Sequence, residues 1–231
     1  MQNNKPDYYN NLDKIYLKIW DLLKIGLQNR DLPFHIPVFI CGEKNNYDGR
    51  IVVLRGIDEK EKKIWFHSDI RSNKIKILKS NPEAVFLFYD KNEKIQLRIR
   101  GNSQINYQNP ITKKSWGKTA HMSRQCYLGD KAPGSNTKVP ASGLTSDIDN
   151  LKYTKEESEI GYKNFCVIET YIKSIEWLYL AAKGHRRAYF SLKNNSPLPI
   201  TKIVDGYYEE IQKMGGNRWD TSSLIKRFRK K

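Results

Sequence analysis

The stretch RIVVLRGIDEKEKKIWFHSDIRSNK, residues Arg50–Lys74, carries the decisive pattern of this chain. RIVVLRGI and KKIWFHS are runs of apolar, β-branched and aromatic residues, and the charged DEKEK between them is a turn, so the pair reads as a β-hairpin. A loop with Ser72, Asn73 and Lys74 follows. Arginines stand at both ends of the run Arg50–Arg55. Side chains five positions apart on a regular strand point to opposite faces, so the two share a site only if the strand end twists or bulges. A cation opening an otherwise apolar strand also needs a partner.

Working outward, NLDKIYLKIWDLLKIGL places Leu12, Ile15, Tyr16, Ile19, Leu22 and Leu23 at helical spacing and predicts an amphipathic helix. DLPFHIPVFICG reads as a strand whose prolines suit an edge or an entrance. NKIKILKSNP predicts a short helix stopped by Pro82, and EAVFLFYD a strand buried on both faces. KIQLRIRGNSQI alternates Ile95, Leu97 and Ile99 with Gln96, Arg98 and Arg100, which predicts a half-buried strand. The weakly patterned segment from about Asn109 to Asp149 mixes a possible helix with Pro, Gly, Ser and Thr and reads as a loop over a binding cleft. NFCVIETYIKSIEWLYLA and HRRAYFSL resume as strands, YYEEIQKM reads as a short helix, and LIKRFRKK as a solvated basic end. About six or seven strands with two to four helices, joined mainly by short turns, fit an antiparallel barrel with peripheral helices better than a doubly wound sheet. The expectation is a mainly β single domain over 1–231, with its core at 12–192 and a divergent tail at 195–231.

Composition narrows the functional classes. No apolar run approaches the roughly 20 residues a membrane helix needs, and the N-terminus has no signal-peptide pattern, so a cytoplasmic protein is expected. Cys41, Cys126 and Cys166 are widely spaced, and the four histidines lack HxxxH or HExxH spacing, so neither a disulfide framework nor a metal is expected. A formal charge of +16 fits either a lysine-rich soluble surface or an anionic partner. The lysines are spread along most of the chain, so charge alone does not choose among a nucleic acid, an acidic lipid and a phosphorylated cofactor; nucleic acid is not the expected partner.

No GxxxxGK[ST], GxGxxG or GxSxG motif is present, so a bound phosphate must be held by side chains. Arg50, Ser68, Ser72, Asn73 and Lys74 supply a guanidinium, an ammonium, hydroxyls and an amide on neighbouring strands and the loop after them. The order RIVVLR, FHS, RSNK, NPEAVFLFYD, IQLRIRG and, much later, EWLYLAAKGHRRAYF resembles the pyridoxamine 5′-phosphate oxidase family of FMN-binding split barrels over residues 12–192. The resemblance implies an antiparallel split β-barrel, FMN as cofactor and a homodimer. It places Arg50 and Lys74 on the FMN phosphate with Ser68 and Ser72 nearby, while Asn73 stands where the oxidases carry an arginine. It places Gln96 on the isoalloxazine ring, Ser135 in a second flavin-contacting segment, and Trp177 and Arg187 at the flavin from the neighbouring subunit.

On the substrate side the resemblance implies Arg55, Ser123 and His185. Ser115 and Thr119 fall where the oxidases have a tyrosine and an arginine, and Lys183 replaces an arginine, so the clamp for a substrate phosphate is incomplete. Three readings follow. One is an FMN-dependent oxidoreductase acting on a small molecule, with vitamin B6 phosphates the best-known class. A second is a flavin reductase or an oxidoreductase on another small molecule. The third is a flavin- or anion-binding protein without catalysis.

Overall fold

The computed structural model describes residues 6–192, apart from 139, 141, 151 and 181–183. The expected short helix at YYEEIQKM and the basic tail lie outside the described residues. Helix α1, Leu12–Gln28, opens where the Asn11 side chain accepts a hydrogen bond from the Lys14 backbone N–H at 2.9 Å. Its buried face carries Ile15, Ile19, Trp20, Leu22, Leu23 and Gly26. A Cβ on Gly26 would lie 2.6 Å from Phe34 Cβ, so glycine lets the helix meet the turn Pro33–His35 closely.

Eight antiparallel strands follow: β1 Val38–Glu43, β2 Asn46–Ile51, β3 Leu54–Asp58, β4 Lys63–Asp69, β5 Glu83–Asp90, β6 Ile95–Tyr107, β7 Phe165–Tyr179 and β8 Arg186–Ser191. They join in the order β2-β1-β5-β6-β7-β4-β3, with β8 also paired to β7. Helix α2, Asn73–Ser80, links β4 to β5, and α3, Pro110–Lys118, follows β6. The long β7 divides its partners: Phe165–Tyr171 pairs with β4, and Ser174–Tyr179 pairs with β8. A register shift on β6 between Arg100 and Gly101 marks the bend opposite that division. This is the split barrel anticipated from the sequence, mainly β with peripheral helices.

Alternating inward residues make the core. Phe39, Phe66, Phe86 and Phe88 pack ring against ring with Leu54, Ile64, Leu97, Ile99, Ile175 and Trp177 around them. Each such fully buried side chain stabilises the fold by about 1.5–3 kcal/mol relative to exposure. A second cluster, Trp116, Tyr127, Phe165 and Val167, seats α3 and the turn after it on the outer side of β7.

The possible helix of segment 109–149 is α3, followed by further short helical turns. Three expectations are corrected. The sequence pattern gave no sign of β2, whose residues Asn46, Tyr47 and Gly49 are exposed and which is held by backbone pairing to β1. Strand β5 is buried on one face, not two, because only Ala84, Phe86, Phe88 and Asp90 turn inward. Finally, RIVVLRGI is two strand ends. Arg50 belongs to β2, Val52 and Val53 break the ladder, and Arg55 belongs to β3 beside a register shift between Leu54 and Gly56.

Candidate functional site

The break at Val52–Val53 separates the two arginines. Arg50 stands opposite Phe39 on β1, two residues from Asp48 and on the same face. Its Nε donates to Asp48 Oδ1 at 2.8 Å and its Nη2 donates to Asp48 Oδ2. At the end of β4 the chain turns through Asp69–Ser72 into α2. Arg71 stabilises that turn, donating to both Asp69 carboxylate oxygens and to the backbone carbonyls of Gly129 and Asp130.

The turn aims Lys74 inward. Its side chain is buried, with the residue only 5% exposed, and Nζ donates to Ser68 Oγ at 2.9 Å and to Ser72 Oγ at 3.0 Å. Among the described residues no carboxylate lies within ion-pair distance of it. Burial, and then the Arg50 guanidinium, push the ammonium down to about 8, while Asp48 acts in the opposite direction. A buried cation whose hydrogen bonds go to two hydroxyls, with a second cation beside it, suits an anion. Ser68, Ser72, Lys74 and Arg50 therefore form one corner, as expected of a phosphate cradle, and this donor set fits FMN's phosphate. Asn73 is exposed on the first turn of α2, outside this contact set.

Arg55 belongs to a different space. It lines a cavity of about 700 Å³ between α1, β3, β4 and α3, together with His35, Trp65, His67, Ser115, Thr119 and Ser123. Three further cations, Arg30, Lys114 and Lys118, line it as well. Lys63 does too, but it is paired with Glu169 at 3.0 Å. His67 lies edge-on to Phe165 at 4.8 Å, and burial followed by the Arg55 charge pushes its imidazole down to about 3. The ring is thus neutral at pH 7 and can accept a hydrogen bond at the cavity wall.

Gln96 and Arg187 come together by cross-strand register: Gln96 pairs with Leu178, which pairs with Arg187, so all three share the outer face of the sheet. The Arg187 side chain is 62% exposed and lies 3.4 Å from Glu176. Trp177 occupies the opposite, inner face, fully buried between Tyr8 and Tyr179, and its ring N–H has no hydrogen-bond partner among the described residues. His185 is exposed in the β7–β8 turn beside Gly184, whose carbonyl accepts from the Tyr9 hydroxyl. Ser135 is exposed and donates to the Ala132 carbonyl in a loop pocket of about 330 Å³. Lys183 lies outside the described residues. The sequence reading missed Asp48, Lys114 and Lys118. The first was legible as an acid at i−2 to Arg50, and the other two as residues each one position before Ser115 and Thr119.

Among the described residues no group of three His, Cys, Asp or Glu could hold a metal ion, and no helix is long and apolar enough to cross a membrane.

Residues 39–106, which span β1 to β6, match the family model described as pyridoxamine 5′-phosphate oxidase, FMN-binding domain. An uncharacterized oxidoreductase of Shewanella frigidimarina is 55% identical over 38 residues, 16% of this chain and 13% of that protein. The pyridoxine/pyridoxamine 5′-phosphate oxidase 2 of Arabidopsis thaliana is 24% identical over 164 residues, 68% of this chain and 78% of that one. Among solved structures, a pyridoxamine 5′-phosphate oxidase-related, FMN binding protein of Nostoc punctiforme aligns with TM-score 0.60 and 20% identity, over 75% of this chain and 89% of that one. PhzG of Burkholderia lata, in complex with tetrahydrophenazine-1-carboxylic acid, aligns with TM-score 0.58 and 14% identity, over 84% and 95%. These two likenesses establish the shared fold.

Proposed function

We propose that this chain, which through residues 39–106 belongs to the family of the pyridoxamine 5′-phosphate oxidase FMN-binding domain, is an FMN-dependent oxidoreductase that acts on a small anionic molecule. The observation that carries the reading is Lys74: a buried ammonium with no carboxylate in ion-pair range among the described residues, held by Ser68 and Ser72 beside the Arg50–Asp48 pair. These residues bind the phosphate, and Gln96 and Arg187 on the outer sheet face orient the ring. Bound FMN supplies the redox chemistry, accepting hydride from a substrate carbon. The chain's own part is binding, orientation and proton management.

The cavity beside Arg55 receives the substrate. Arg55 and Ser123 contact its anionic group, and neutral His67 on the same wall accepts a hydrogen bond. His185, in the β7–β8 turn, closes the substrate side. Vitamin B6 phosphates are the first class to test. A second reading, an oxidoreductase or flavin reductase for another small anion, is favoured by Ser115 and Thr119 with Lys114 and Lys118 in the cavity wall. A binding protein without turnover is the third reading.

The outer sheet face supports a homodimer. Ile51, Val38, Leu87, Arg98, Glu176 and Tyr189 form one continuous cross-strand row over it. Exposed Tyr47, Ile51, Tyr89 and Tyr189 add apolar area to the same sheet. The test of the activity is anaerobic mixing of the FMN-loaded protein with pyridoxamine phosphate, pyridoxine phosphate, NADH or NADPH, followed by oxygen. Bleaching of the flavin band by a B6 phosphate supports the first reading, and bleaching by a nicotinamide alone supports the second. No bleaching by any of them supports the third.

A further inference from the structure

Asp48 sits inside the phosphate corner and carries the wrong charge for it. Its side chain is 8% exposed, and its carboxylate takes two donors of Arg50, Nε at 2.8 Å and Nη2. The corner therefore combines two cations, Arg50 and Lys74, with one anion. Asn73, exposed on α2, adds no charge. The resulting single net positive charge faces a phosphate monoester of about −1.5 to −2 at neutral pH.

We propose that Asp48 is a built-in counter-ion that holds the flavin phosphate loosely, so that FMN is an exchangeable rather than a permanently retained cofactor. The inference rests on the FMN reading above. Without flavin, Asp48 neutralises Arg50 and allows two cations to stand together in a largely buried corner. With flavin bound, the same carboxylate faces the phosphate across Arg50 and repels it. Loss of the charge at residue 48 removes that repulsion in the complex; Asp48 also helps hold the Lys74 proton, so the comparison is made well below pH 8, where Lys74 stays charged. With the screening typical of a partly buried site, one unit charge a few ångströms from a phosphate is worth about tenfold or more in affinity. Asp48→Asn keeps the shape and an acceptor oxygen for Arg50 Nε, so it separates charge from scaffolding.

The experiment is a fluorescence titration of wild type and D48N with FMN and with riboflavin, which lacks the phosphate, at fixed pH and ionic strength. The expected result is FMN binding tightened about tenfold or more in D48N, with slower FMN release and unchanged riboflavin affinity. FMN affinity that is unchanged or weakened, or a riboflavin shift equal to the FMN shift, overturns the proposal. If D48N does not fold, Asp48→Ser serves in its place. Wild type alone is also decisive, because stoichiometric FMN retained through dilution and repeated gel filtration contradicts exchangeability. A wild type with no response to FMN overturns the flavin reading together with this one, an outcome distinct from an indifferent D48N.

Discussion

Lys74 shows how a single side chain links sequence to chemistry. Burial lowers the affinity of its amine for a proton, and the nearby Arg50 guanidinium lowers it further, to about 8. Between about 8 and the ordinary 10.5, the unfolded chain holds a proton that the folded chain has released. The stability of the flavin-free protein therefore rises with pH across that window. Phosphate binding needs the charged form, so FMN affinity is expected to fall as pH rises through about 8; titrations at pH 7 and 9 check it, and a flat profile contradicts the role given to Lys74. His67 has the same sign in a more acidic window. Its folded value near 3 lies below the ordinary 6.5, so the unfolded state takes up the proton first and stability falls as pH drops from about 6.5 towards 3. Replacing His67 by Phe is expected to flatten that acid limb in denaturation curves, with little change at pH 7.5.

At the scale of the element, the decisive features are the two places where a ladder is irregular. The shift at Arg100/Gly101 bends β6 where β7 changes partner, and a Cβ on Gly101 would collide with the Tyr171 carbonyl and approach Thr170 Cγ2 to 2.9 Å. Gly101→Ala is expected to cost about 1–3 kcal/mol by urea denaturation, because one obstacle is backbone and cannot rotate away. The other irregularity, Val52–Leu54, sends Arg50 to the phosphate corner and Arg55 to the cavity. It was not legible in RIVVLRGI, where continuous β-branched residues look like one strand, although the five-residue spacing did pose the question. Strand β6 was legible because Ile95, Leu97 and Ile99 face the core and Gln96, Arg98 and Arg100 do not. Strand β2 was hidden because its ladder is satisfied by backbone while most of its side chains stay in solvent. The cradle residues were readable as types in order. Asp48 was overlooked because its significance depends on burial, which no local pattern around NNYDGR betrays.

For the whole molecule, one sheet serves two faces. The inner face is a dry aromatic core that includes Trp177, and the outer face offers tyrosines, Ile51, Gln96 and Arg187 to another surface. The two-chain flavin site expected from the resemblance needs a second copy of the chain. Light scattering is expected to give twice the chain mass of 27.1 kDa, and the charge-introducing pair Ile51→Asp with Tyr89→Lys is expected to shift the protein to monomer. A monomeric wild type contradicts the two-chain site. The +16 charge finds a local use in two places, the corner at Arg50 and Lys74 and the cavity with Arg30, Arg55, Lys114 and Lys118.

The assignment of the Arg50–Lys74 corner to the phosphate of FMN is open to a direct titration of FMN into the purified protein, following visible absorption and fluorescence for wild type, Arg50→Ala and Lys74→Met. Saturable binding of one FMN per chain is expected in wild type. In each variant a loss of about tenfold or more is expected, the usual worth of a charge-assisted hydrogen bond. Wild type without a spectral response, or variants that bind FMN as wild type does, would contradict it.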